Sequence, residues 1–221
     1  MKKFLELLNG EKIELANIYC IASNYSKHAE EMGTKIPEDP VVFLKPTSAY
    51  VPDGGTIFLP SFSNNVHHEV ELVVVIGKDG RNIEPNEAVD YIAGYAVGID
   101  VTLRDIQAKA KAEGKPWGIA KGFYTSAPIS KIVDSKQFNG KIPFFELLLK
   151  VNGEIRQKAN TREMERSVES LVSFISRVFS LSAGDCIFTG TPEGVGKIVP
   201  GDNLYAELSG FVTLNCSVVN Y

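Results

Sequence analysis

Apolar residues along most of this chain gather in short runs rather than at helical spacing. VELVVVIG (70–77), FFELLLKVNG (144–153) and FVTLNCSVV (211–219) are rich in β-branched residues and read as strands. IYCIAS, CIFTG and NLYAEL are shorter candidates of the same kind. Turn signals separate them: Asp53-Gly54-Gly55, Asp79-Gly80, Asn152-Gly153 and Gly201-Asp202. Asn152-Gly153, between LLLKV and EIRQKA, predicts a tight hairpin turn.

Helical periodicity is rarer. Across 167–181, Val168, Leu171, Phe174, Ile175, Val178 and Phe179 recur at the 3.6-residue period, with Gly184 as the expected C-cap. A second helix is expected from Thr102 to Glu113, stopped by Gly114, with Thr102 and Asp105 as a weak capping box. A short third one is expected over Tyr25–Met32. No repeat, low-complexity stretch or linker marks a boundary. The pattern predicts one strand-dominated α+β domain over residues 1–221, with 1–15 as a small appendage.

Composition narrows the function classes. The 221 residues are 44% apolar, enough for a sizeable core, and carry a formal charge of −4. No long block of like charge exists, so nucleic-acid and membrane-surface partners are not expected. Cys20, Cys186 and Cys216 are far apart, form no CxxC pair and read as reduced core thiols. MKKFLELLNG is interrupted by Glu6 and lacks a small-residue cleavage site, and no run approaches the ~18 apolar residues of a membrane span. The expectation is a cytoplasmic protein.

Three carboxylates carry the chemistry. Glu69 and Glu71 lie two apart in HEVELVVVIG, and side chains two apart on a strand share a face. Like charges beside an apolar wall need a proton or a cation, although an E-x-E on a solvated edge strand is also common. A second strand-like run, IAGYAVGIDV, delivers Asp100 at a strand-to-helix junction. Three hard oxygen donors suit Mg²⁺, Mn²⁺ or Ca²⁺ rather than zinc.

Other candidates surround this trio. His28 and Glu31 are neighbours on one helical face, where a carboxylate on one ring nitrogen leaves the other as a base; Glu30 is a competing partner, and an exposed ion pair is the plain alternative. Lys121, after the apolar stretch of PWGIAKGF, is either a partly buried cation near the metal or a surface lysine. Arg104, Asp105 and Gln107 open a helix whose free N–H groups suit anions, and Gln107 can hydrogen-bond a substrate carboxylate. TGTPEGVGK (189–197) fails as a phosphate loop: Thr191 stands where a glycine is required, and Ile198 where Ser or Thr is. It reads instead as a tight loop presenting backbone N–H groups and the Thr191 hydroxyl to a pocket. His67 and His68 read as supporting or structural; by alternation His67 shares the face of Glu69.

In order, NYSKHAEEMG, FLKPTSAY, HHEVELVVVIG, GYAVGIDVTLRDIQ, PWGIAKGF and FTGTPEGVG resemble the fumarylacetoacetate hydrolase family, in its single-domain acylpyruvase branch, over roughly 17–218. The resemblance implies a mixed β-roll with few short helices, usually a homodimer, with the His28 segment as a mobile lid. It implies Glu69, Glu71 and Asp100 as ligands of Mg²⁺ or Mn²⁺, and His28 with Glu31 as the dyad that activates water. It implies Lys121 as a catalytic cation, and Arg104, Gln107, Thr191 and Tyr25 as substrate or oxyanion contacts. The chain departs from that pattern at Ser23, where many relatives carry arginine, and at Tyr124, where many carry aspartate. Both bear on substrate choice, and the lost arginine on a subsite for a second carboxylate.

A metal held by three carboxylates keeps positions for a small-molecule 2-oxo acid and acts as a Lewis acid on its keto group. For an acylpyruvate, water activated by His28 attacks the distal carbonyl. Lys121 stabilises the oxyanion or protonates the leaving carbon, and the products are a carboxylic acid and pyruvate. Oxaloacetate decarboxylation needs no attacking water. Tautomerisation, or isomerisation of a 2-hydroxyhepta-2,4-diene-1,7-dioate, needs only a proton shuttle. The dyad therefore favours hydrolysis. The contrasting class is a non-catalytic protein that binds a metal.

Overall fold

A computed structural model describes residues 2–221 of the chain. Its centre is a mixed six-stranded sheet in the order 133–134, 92–99, 70–76, 186–188, 18–22, 41–45. A five-stranded sheet, in the order 154–160, 146–151, 203–208, 212–220, 56–59, packs against one face. Leu72, Val74 and Ile76 of the first sheet meet Leu147, Leu149, Leu204, Ala206 and Leu214 of the second in the large apolar core. Val73 and Val75 point the other way, into a second cluster with Ile18, Cys20, Phe188 and Ile129. The Val70–Ile76 strand is therefore buried on both faces, which is why its sequence from Leu72 onward is a continuous apolar run rather than an alternation. The fold is the strand-rich α+β roll expected from the sequence.

The expected strands form at Glu146–Val151, Val212–Asn220, Ile18–Ala22, Cys186–Phe188 and Asn203–Leu208. Asn152 and Gly153 both take positive φ, 52° and 84°, and close the hairpin between Glu146–Val151 and Glu154–Asn160. At the N-terminus, Phe4–Glu6 pairs with Lys12–Glu14. This hairpin inserts Leu5, Leu7 and Leu15 into the second cluster. All three cysteines are buried and unpaired.

Four α-helices form among the described residues: α1 (Ser26–Glu31), α2 (Arg104–Ala112), α3 (Gly118–Lys121) and α4 (Val168–Val178). Three details depart from the sequence reading. First, α4 ends at Val178, and the chain turns at Ser180 (φ 55°). Gly184 is not its cap. It lies against Glu14, whose carbonyl oxygen would meet a Cβ at 1.9 Å. Second, the inward face of α4 is centred on Leu171, Val172 and Ile175, and Val178 is exposed. The buried Ser176 on that face is satisfied by accepting the Ile83 N–H (2.9 Å) and donating to the Ser173 carbonyl (2.8 Å).

Third, Thr102 does not cap α2. It lies in a two-residue strand, Thr102–Leu103, paired with Val66–His67. Asp105 accepts from Ser63 and the Asn64 N–H rather than completing a capping box. The stop is as expected: the Lys115 N–H bonds to the Ala110 carbonyl and the Gly114 N–H to that of Lys111, a Schellman ending.

Candidate metal centre and active site

Register builds the cluster. Val70 faces Ile99 and Glu71 faces Gly98 across two antiparallel strands. One step on, the Asp100 N–H donates to the Glu69 carbonyl at 2.8 Å. Glu69 and Asp100 thus close the same end of neighbouring strands, with Glu71 two residues inside. Glu69 itself sits in a break between Val66–His68, of the small sheet, and Val70–Ile76. One oxygen from each carboxylate lies within 4.8 Å of the others, and all three residues are buried.

Three cations answer these anions. Lys121, at the end of α3 and 3% exposed, donates to Glu69 Oε2 (2.7 Å), Asp100 Oδ2 (2.6 Å) and the Thr102 hydroxyl (2.7 Å). Those contacts use all three ammonium protons. Arg104 donates from Nη2 to Glu69 Oε1 and from Nη1 to Gln107 Oε1 (2.7 Å). Lys45, the last residue of Val41–Lys45, places Nζ 2.8 Å from Asp100 Oδ1. It also donates to the carbonyls of Ser126 (2.9 Å) and Lys121. Its alignment on Asp100 is that of an ion pair, and Oδ1 is left without a hydrogen bond.

The three carboxylates diverge in acidity. Burial pushes Glu69 up, but the Lys121 ammonium and the Arg104 guanidinium outweigh it and hold the carboxyl far below the usual range. Burial raises Glu71 well above that range; Asp100 and Glu69 add to the rise, and the Gly190 N–H (2.7 Å) only partly opposes it. Burial also disfavours the charged form of Lys121, yet Asp100 and Glu69 overcome this and hold it above the ordinary lysine value.

The 189–197 loop serves the site through its backbone. Gly190, with φ 100° and a Cβ position 2.7 Å from that of Asn24, can approach closely enough to give its N–H to Glu71. The Gly194 N–H donates to Glu31 at 3.2 Å. Glu31 in turn lies 3.3 Å from His28 Nδ1, so Glu31 rather than Glu30 is the partner of the histidine. His28 is buried on α1 and borders the cavity.

That cavity is narrow, with a free volume of about 40 Å³. Its walls carry His28, Glu69, Glu71, Asp100, Arg104, Gln107, Lys121 and Thr191, together with Ser23, Phe43, Lys111 and Trp117. Eight of the ten residues singled out from the sequence thus converge on one space. Glu31 stands behind His28. Tyr25 lies outside, at the start of α1, lining a neighbouring surface pocket with Lys27, Glu163 and Glu193. The Thr191 hydroxyl donates to the Val70 carbonyl (2.9 Å) and accepts from Gln157 (2.9 Å), so its proton is committed to the scaffold. Tyr124 also lies away from the cavity, exposed and stacked on Phe58. His68 bonds to Gln157 and His67 to Asn65, each at 2.9 Å.

Two site residues escaped the sequence reading. Lys45 ends an apolar run before Pro46, and only its burial between Asp100 and three carbonyls reveals it. Gln157, 1% exposed, joins His68, the Val70 N–H, Thr191 and the Pro192 carbonyl. It comes from the alternating strand 154–160, where a polar residue raises no signal.

The family model of the fumarylacetoacetate (FAA) hydrolase C-terminal domain matches residues 17–219. The chain belongs to the fumarylacetoacetate hydrolase family. It is 47% identical over 193 residues to the Arabidopsis thaliana protein named oxaloacetate tautomerase FAHD1, mitochondrial, covering 87% of this chain and 86% of that one. It superposes with a TM-score of 0.93, at 38% identity, on the fumarylpyruvate hydrolase of Pseudomonas aeruginosa solved with Mn²⁺ and pyruvate, over 100% of this chain and 97% of that one. The 2-hydroxyhepta-2,4-diene-1,7-dioate isomerase of Mycobacterium marinum superposes with a TM-score of 0.81 at 35% identity, over 95% and 78% of the two chains. Fumarylacetoacetate hydrolase relatives thus include a tautomerase, a hydrolase and an isomerase. The buried all-oxygen trio, with one oxygen of each carboxylate within 4.8 Å of the others, fits a hard divalent cation. Among the described residues, no helix is long and apolar enough to cross a membrane.

Proposed function

We propose that the protein is a divalent-metal-dependent enzyme that hydrolyses the C–C bond of acylpyruvate-type diketo acids to pyruvate and a carboxylic acid. The observation that carries this reading is the His28–Glu31 pair: a histidine facing the cavity, backed by a carboxylate that is itself held by the Gly194 N–H. Hydrolysis needs a base for water, and this arrangement supplies one. Glu69, Glu71 and Asp100 would hold Mg²⁺ or Mn²⁺, which polarises a keto oxygen when bound.

The chain's own residues do the rest. Arg104 and Gln107 bind the substrate carboxylate; the Gln107 amide nitrogen has no protein acceptor among the described residues. Nδ1–H of His28 donates to Glu31, leaving Nε2 to take a proton as water adds to the distal carbonyl. The bond between that carbonyl carbon and C3 then breaks, and His28 returns the proton to C3, leaving pyruvate and the carboxylic acid. With its protons committed to Glu69, Asp100 and Thr102, Lys121 acts as a fixed countercharge rather than an acid.

A second reading, tautomerisation of oxaloacetate, is favoured by the 47% identity to a protein of that name. It uses the same groups with His28 as a proton shuttle. Turnover of acetylpyruvate, fumarylpyruvate, oxaloacetate and a hydroxymuconate-type diene acid, each with Mg²⁺ and Mn²⁺, chooses between them. Tautomerisation without release of pyruvate from any acylpyruvate would sink the hydrolase reading. The proposal extends to a cytoplasmic homodimer: buried free cysteines suit a reducing compartment, and exposed Phe62, Val199 and Tyr221 supply apolar surface for self-association. A monomeric mass by light scattering removes the dimer.

A further inference from the structure

Helix α2 lines the cavity with a ladder. Arg104, Gln107 and Lys111 are spaced i, i+3 and i+7, so they share one helical face, and all three border the cavity. The two lower rungs are engaged with each other, and Arg104 also with Glu69. The upper rung is different. Lys111 has no hydrogen bond or ion pair among the described residues, and its Nζ sits 5.0 Å from the centre of the Trp117 ring. The nearest acid along the chain, Glu113, is paired with Lys115 at 2.6 Å. Burial lowers the Lys111 ammonium from its ordinary value, with Arg104 and Lys121 adding to the effect, as expected for a cation that shares a partly closed, positive-walled mouth.

Lys111 lies about 6 Å farther along the helix axis than Gln107. A 2-oxo acid whose first carboxylate rests at Arg104 and Gln107 therefore has a cation waiting one helical turn away. Ser23, on the same cavity, is neutral and supplies none. We propose that Lys111 is a specificity residue that binds the second carboxylate of a dicarboxylic 2-oxo acid, so that the site prefers diacids over monoacids of equal length. This rests on the reading of the site as one for 2-oxo acids.

The test uses a matched pair that differs only at the far end: 2-oxoglutarate, with a terminal carboxylate, and 2-oxovalerate, with a methyl. Calorimetry in saturating Mg²⁺ measures the affinity of both for the wild type, Lys111→Met and Lys111→Arg. The wild type is expected to bind the diacid about fivefold more tightly, which is ~1 kcal/mol. Lys111→Met, which keeps the stem over Trp117, should bring the affinity ratio to about one. Lys111→Arg should keep the preference. An unchanged ratio in Lys111→Met, or equal binding of the two acids by the wild type, overturns the proposal. Binding of neither acid by the wild type overturns the 2-oxo acid reading itself, and this inference with it.

Discussion

The six-stranded and the five-stranded sheet share the large apolar core but differ in what covers their outer faces. Val70–Ile76 is buried at every position, because the Leu5–Leu15 hairpin and the 127–133 segment seal the far side of its sheet. Strands 203–208 and 212–220 alternate buried and exposed residues, since their outer face meets water. A doubly covered sheet has no room for charge along its length, so charge can enter only where strands end. Glu69, Asp100 and Lys45 all sit at such ends, and Glu71 two residues in. The singly covered sheet keeps its charges in water and sends just one buried polar side chain toward the site, the amide of Gln157. Chemistry thus concentrates at the rim of the sheet that can least afford it elsewhere.

That contrast can be broken or sharpened by experiment. The largest effect expected is His28→Ala, which should slow acetylpyruvate hydrolysis by about 10³-fold. Mg²⁺ affinity should be unchanged and part of any oxaloacetate decarboxylation retained. Equal loss of both reactions would refute the division of roles between base and metal cluster. Next, Leu149→Ala, in the middle of the five-stranded sheet and fully buried, should destabilise the protein by about 3 kcal/mol in denaturant unfolding. The kcat of the folded fraction should stay as in the wild type; a fallen kcat would show that the two sheets are not separable in role.

Glu71→Gln should weaken Mg²⁺ binding about 100-fold by calorimetry, ~2.7 kcal/mol, because one of three anionic donors becomes neutral. Unaltered binding would remove Glu71 from the metal site. The smallest effect is in pH. Because Glu71 is raised above the usual carboxylate range, binding a cation there must expel a proton. Mg²⁺ affinity should therefore rise with pH, by at most about tenfold per unit, until Glu71 ionises unaided, and then level off. Calorimetry in buffers of different ionisation enthalpy reads the released proton directly; no buffer dependence would contradict the weakened acidity of Glu71.

The strands, the Asn152-Gly153 hairpin and α1 were legible in the chain because each is a local matter of periodicity or turn chemistry. The trio Glu69, Glu71 and Asp100 was legible for a related reason: an E-x-E beside an apolar run and an aspartate ending the next one are adjacent in a hairpin-like pairing. Errors arose where a distant partner decided the matter. Thr102 resembled a cap until Lys121 claimed its hydroxyl, and Gly184 resembled a helix end until Glu14 explained its lack of a side chain. Tyr25 and Tyr124 flank motif residues in sequence, but neither lines the cavity: Tyr25 is buried at the start of α1, and Tyr124 is exposed on Phe58.

By itself, then, the sequence determined the strand-dominated class, the oxygen-donor chemistry and the face shared by His28 with Glu31, since these follow from spacing within single elements. The tertiary structure alone decided which cations neutralise the cluster, that Lys45 and Gln157 belong to the site, and that Lys111 stands free at its mouth. Those depend on which strand ends and loops meet, and charge compensation in a buried site acts over a few ångströms of space rather than a few residues of chain.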